Sequence, residues 1–139
     1  MKKAVHSFKT CFSLCSRIPL FKKNTTEYSG FLFFLPLLGF ITGGINLGIY
    51  YAFSMVIRHS AVLAVLILFF QYILFNLFHF DGFTDCCDAL MCFAGREKRL
   101  AILKDTNAGS FALFGGFVYL ALKLFLLIII IEQGALFVL

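Results

Sequence analysis

Residues 29–57 read SGFLFFLPLLGFITGGINLGIYYAFSMVI, twenty-nine residues without a charge. As one straight helix the run would measure about 43 Å, against a bilayer hydrocarbon core of about 30 Å. It has to tilt, kink or protrude, and Pro36 is the expected kink. Gly39 and Gly43, then Gly44 and Gly48, repeat a small-xxx-small spacing. In lipid, where hydrophobicity no longer drives association, that spacing lets helices approach closely. The same apolar character continues outward. Arg58 and His59 form a minimal turn, Ser60–Phe78 is a second span of 19 residues, and residues 108–131 form a third. Lys123 falls about 22 Å into that third span, deep enough to snorkel toward the far interface.

The whole composition agrees with this reading. The chain has 139 residues, 61% of them hydrophobic and 14% charged, and its mean hydropathy is +0.95. Ordinary soluble domains run at about 45–50% apolar and about 25% charged, and need that polar surface to face water. Intrinsic disorder and a disulfide-stapled module are excluded by the same numbers. Cys11, Cys15, Cys86, Cys87 and Cys92 are odd in number and include no C-x-x-C, so they read as small hydrophobes. The fold class is all-α: one polytopic membrane domain, residues 1–139, with about three transmembrane helices. An amino-terminal amphipathic helix over residues 4–18 puts Val5, Phe8, Phe12, Cys15 and Ile18 on one face, lies in the interface, and ends at Pro19.

Charge placement sets the topology. In residues 1–28, a basic cytoplasmic and interfacial segment, Lys2, Lys3, Lys9, Arg17, Lys22 and Lys23 stand against Glu27 alone. Arg58 is isolated. A lysine and arginine surplus on such a chain marks the cytoplasmic side, not nucleic acid. The amino terminus and the charged loop 79–105 are therefore expected inside, the Arg58 turn outside.

That loop carries the chemistry. It opens His79-Phe-Asp-Gly-Phe-Thr-Asp-Cys-Cys-Asp88. On a helix Asp81, Asp85 and Asp88 fall within an arc of about 60°. Three carboxylates at a membrane mouth repel one another unless a cation neutralises them. Carboxylates without sulfur or several histidines prefer hard cations, Mg²⁺ before Zn²⁺. Gly82 lets a ligand or backbone approach. Arg96, Lys98 and Arg99, then Lys104 and Asp105, follow within about twenty residues, as a phosphate-bearing substrate requires. His79 or one of the aspartates is the candidate general base.

His79-x-Asp-Gly-x-x-Asp-x-x-Asp88, the Arg-rich turn and the Lys104-Asp-x-x-x-Gly-x-Phe111 segment together resemble the cobalamin synthase family, the adenosylcobinamide-GDP ribazoletransferases. Phe-Ser-Leu-Cys-Ser-Arg-Ile-Pro at 12–19, Glu27 and Leu-Pro-Leu-Leu-Gly at 35–39 fit its opening segments. Ala89 stands where the family usually has Gly. The resemblance implies a multi-pass enzyme of a prokaryotic inner membrane, active at the cytoplasmic face and needing Mg²⁺. It implies transfer of the adenosylcobinamide-phosphate group from adenosylcobinamide-GDP to α-ribazole or its 5′-phosphate, releasing GMP.

By that resemblance Asp81, Asp85 and Asp88 hold the metal. His79, Asp81, Asp85 and Lys104 are catalytic, and Arg96, Arg99, Asp105 and Gly82 bind substrate. At about half the length of a family member, the chain is expected to be an amino-terminal portion, with a second half-chain or another copy as partner. Two other readings stand beside it: a CDP-alcohol phosphotransferase, whose aspartate order this chain lacks, and a non-enzymatic membrane subunit.

Overall fold

Pro36 sits in the first turn of a helix rather than in the middle of one. A proline there loses no hydrogen bond, because the first N–H groups of a helix have no intrahelical acceptor. In the computed structural model, which describes residues 2–21, 30–75, 77–105 and 107–134, the expected kink is therefore a start. Gly30 takes a left-handed conformation, φ +81°, and leads into a 3₁₀ turn at Phe31–Phe34. Helix α2, Leu35–Ser54, follows. Its 20 residues measure about 30 Å, the thickness of a hydrocarbon core. The surplus of the uncharged run lies in the 3₁₀ turn and in the segment after Ser54.

The chain is helical before and after it. The order is α1 (Lys2–Cys15), the 3₁₀ turn, α2, α3 (Ser60–Leu74), α4 (Leu77–Met91), α5 (Arg96–Ile102) and α6 (Ser110–Glu132). Among the described residues there is no strand, only an isolated bridge between Ser16 and Phe75. Among the described residues two helices are long and apolar enough to cross a membrane, Leu32–Ser54 and Ser110–Glu132; Ser60–Leu74 is a shorter apolar helix. Few of their large apolar side chains are buried and many are exposed, Phe40 and Phe117 among them. That is the arrangement a lipid surrounding stabilises and water does not.

The second apolar run does not continue as one helix to Phe78. At Phe75 the backbone turns extended, φ −138° and ψ 175°. The Arg17 N–H donates to the Leu74 carbonyl at 2.9 Å. The Phe75 ring is 1% exposed and packs edge-on against Phe12, in one cluster with Cys11, Cys15 and Leu38. Burial of this ring ends α3 and lets a separate α4 begin. Helix α1 stops at Cys15, four residues before Pro19.

Residues 79–105 are likewise not a loop, because most of them lie in α4 and α5. The helix α4 is held by α6. At Gly116 a Cβ would meet Phe80 and Thr84, and at Gly115 the Cys87 sulfur, so this glycine pair makes room for α4. Along α2, by contrast, a Cβ at Gly39, Gly44 or Gly48 would touch nothing within 4 Å. A second cluster, Ala64, Ile67 and Leu127, joins α3 to α6. The Ser60 hydroxyl donates to Glu132 at 2.7 Å, bringing the start of α3 beside the end of α6. The Lys123 ammonium sits over two aromatic rings. It lies 5.0 Å from the Tyr72 ring centre and 6.0 Å from that of Tyr119, one turn earlier on α6.

Candidate active site at the junction of α4 and α6

The three aspartates of α4 share a face but not a surrounding. Asp81 is exposed and Asp85 half-buried. Among the described residues neither carboxylate has a hydrogen-bond partner; the Thr84 hydroxyl takes the Asp81 main-chain carbonyl instead, at 2.8 Å. Asp88 is buried. One of its oxygens accepts from the Gly109 N–H at 2.5 Å and the other from the Ala112 N–H at 2.8 Å. These are amides of the first turn of α6, which otherwise has no side-chain cap.

Seven residues of helix separate Asp81 from Asp88, about 10.5 Å along the axis. A hard cation holds its oxygens at about 2.0–2.6 Å. Consistently, no group of three His, Cys, Asp or Glu able to hold a metal occurs among the described residues. Asp81 and Asp85, one turn apart and without hydrogen-bond partners among the described residues, present the oxygen donors that Mg²⁺ takes. That ion keeps several waters and is commonly bound through one or two carboxylates plus substrate phosphates. The donor set thus fits as two carboxylates on α4.

His79 lies one turn before Phe83. With Tyr72, Phe80, Phe83 and Tyr119 it lines a cavity of about 220 Å³. Its Nε2 is 3.8 Å from the Cys15 sulfur. Burial, with Cys11 adjacent, pushes the Cys15 thiol up to about 12. The thiol is therefore protonated at neutral pH, and Cys15 is no nucleophile.

Gly82 is exposed, and a Cβ there would meet nothing within 4 Å, so packing does not require glycine. Arg96 opens α5 and is exposed; Arg99 is half-buried, with a buried Nε that has no partner among the described residues. Lys104 and Asp105 follow α5 in an exposed turn. Asp105 accepts from the Asn107 N–H at 3.1 Å and from its side-chain amide at 2.8 Å. Four residues on, the same strand of chain reaches Gly109 and Asp88. The expected Glu27, Lys22 and Lys23 lie outside the described residues. Asn107 and Gly109 are the residues that sequence reasoning left out of the site. The signal for Gly109 was already in the Lys104-Asp-x-x-x-Gly spacing.

Comparison with known proteins bears on this arrangement. A family model described as cobalamin-5-phosphate synthase matches residues 7–139. The adenosylcobinamide-GDP ribazoletransferase of Clostridium botulinum (strain Okra / Type B1) is 32% identical over 137 residues. The match covers 96% of this chain and 55% of that protein. The protein of the same name from Thermosipho africanus (strain TCF52B) is 32% identical over 121 residues, 83% of this chain and 48% of its own. That of Clostridium kluyveri is 29% identical over 126 residues, covering 88% and 50%. The chain spans about half the length of the curated relatives it matches. No solved structure matches it. With the match running from α1 through α6, the chain belongs to the cobalamin-5-phosphate synthase family.

Proposed function

We propose that the chain forms the carboxylate-bearing portion of an adenosylcobinamide-GDP ribazoletransferase, working at the cytoplasmic face of a prokaryotic inner membrane. In this reading α2, α3 and α6 are the three membrane passes and α1 lies along the interface. Asp81 and Asp85 hold Mg²⁺. The ion would supply charge neutralisation on the pyrophosphate of the donor. Lys104, Arg96 and Arg99 approach the phosphate oxygens and stabilise charge developing on them. His79, or one of the two aspartates, takes the proton of the α-ribazole 5′-hydroxyl as its oxygen bonds to the cobinamide-side phosphorus. The anhydride P–O bond breaks and GMP leaves with the electron pair. α-Ribazole 5′-phosphate is the other acceptor that the family resemblance admits. The open glycine face of α2 around Gly39 and Gly44 is where further helices of a full-length enzyme, or a second copy, would pack.

The observation that carries the reading is the family match over residues 7–139 together with the link from Asp88 to Gly109. That link joins the Asp-rich helix to the segment bearing Lys104 and Asp105, two stretches a phosphoryl-transfer site needs side by side. The test uses a full-length relative in which the matching segment is replaced by this chain. Reconstituted in vesicles with labelled adenosylcobinamide-GDP and α-ribazole, it is expected to release one GMP per cobalamin formed, and only with Mg²⁺. If the unmodified relative turns over and the chimera binds neither substrate nor forms product, the reading fails.

A further inference from the structure

Asp88 stands on the same face as Asp81 and Asp85, yet it is 9% exposed and both its oxygens are engaged. Gly109 is the residue flanking the amino end of α6, and Ala112 is the third residue inside it. Asp88 therefore does from another helix what a local Ser or Asp does at most helix starts, and puts negative charge at the positive end of the dipole. Gly109 itself has no side chain to cap with. A Cβ on it would lie 2.7 Å from Asp88 Oδ1 and 2.8 Å from Oδ2. Its φ of −85° suits any residue, so the glycine answers a need for space, not for backbone freedom. Between this contact and the end of α5 lie Lys104 and Asp105, in a turn closed by the Asp105–Asn107 hydrogen bonds.

We infer that Asp88 is a positioning residue and not a metal ligand. With Gly109 it ties the start of α6, and with it the segment that bears Lys104 and Asp105, to the helix that carries Asp81 and Asp85. The exclusion from the metal rests on the proposed function, in which Asp81 and Asp85 bind the cation; the tie itself does not.

Residue-resolved amide exchange on the 139-residue protein in detergent reads the tie without metal. In Asp88→Ala the Gly109 and Ala112 amides are expected to exchange at least about tenfold faster, the factor a hydrogen bond to a charged acceptor supplies. Asp88→Asn, with one oxygen left, should protect one of the two. Gly109→Ala keeps every carboxylate and should still deprotect Ala112, while Asp81→Asn should change neither. Unchanged protection in both Asp88→Ala and Gly109→Ala overturns the tie.

Mn²⁺ affinity, read by electron paramagnetic resonance, supplies the second arm. It should fall about tenfold or more in Asp81→Asn and stay near the parent value in Asp88→Asn. If Asp88→Asn loses as much affinity as Asp81→Asn while the amides stay protected, Asp88 is a ligand and the inference is wrong. If the parent binds no Mn²⁺, the metal reading falls by itself and the exchange result still decides the tie.

Discussion

Asp81 and Asp88 carry the same group on the same face of one helix, and their neighbours give them different work. At Asp88 two amides and a missing Cβ draw the carboxylate onto α6. At Asp81 nothing among the described residues competes for it. Replacing Asp81 or Asp85 by Asn keeps the shape and removes one charge. In the chimeric enzyme each change should lower turnover by at least about a hundredfold, the scale seen when one charge-stabilising group is lost from an active site. Steady-state rates at saturating Mg²⁺ check this.

The periodicity of the aspartates was legible in the sequence; the division of labour was not, because it depends on where the α6 amides fall. Cys15 offers a second check at this scale. Burial raises its thiol to about 12, so the protonated form persists through neutral pH. Alkylation of Cys15 should lag far behind that of exposed Cys86 at pH 8, and should accelerate about tenfold per pH unit up to that value. Mass spectrometry of the labelled peptides reads both.

The helices themselves were legible in proportion to how far local pattern decides them. The helix α6, with no glycine or proline after Gly116, runs nearly as its apolar stretch suggests. The run ending at Phe78 was misleading because hydropathy is blind to Phe75, where a tertiary contact overrides a locally helical pattern. Residues 79–105 read as loop because they are charged, yet α4 is helical through its packing on Gly115 and Gly116. If Phe75 sets the boundary, Phe75→Ala should destabilise the protein by about 3–5 kcal/mol, the usual cost of emptying a buried aromatic site. Unfolding in mixed detergent measures that cost. The same variant should expose Cys11 and Cys15 to alkylation, since both pack in the Phe75 cluster.

Two side-chain contacts mark the two ends of α6. Ser60 against Glu132 fixes the Arg58 turn beside the end of α6. Asp88 against Gly109 fixes the Asp-rich helix at its start, about 35 Å away along 23 residues of helix. The sequence carries six basic residues in 1–28 against a lone Arg58 in the first turn, the bias expected of a cytoplasmic amino terminus. With the five native cysteines replaced, Glu97→Cys should resist an impermeant maleimide added outside intact cells and Arg58→Cys should react.

In the proposed function Asp81 and Asp85 serve phosphoryl transfer. That role is tested most directly by the chimeric enzyme carrying both Asp81→Asn and Asp85→Asn, assayed beside the unsubstituted chimera for GMP release from labelled adenosylcobinamide-GDP. Loss of Mg²⁺-dependent release with folding intact is expected. Release by the double variant at the parent rate would contradict it.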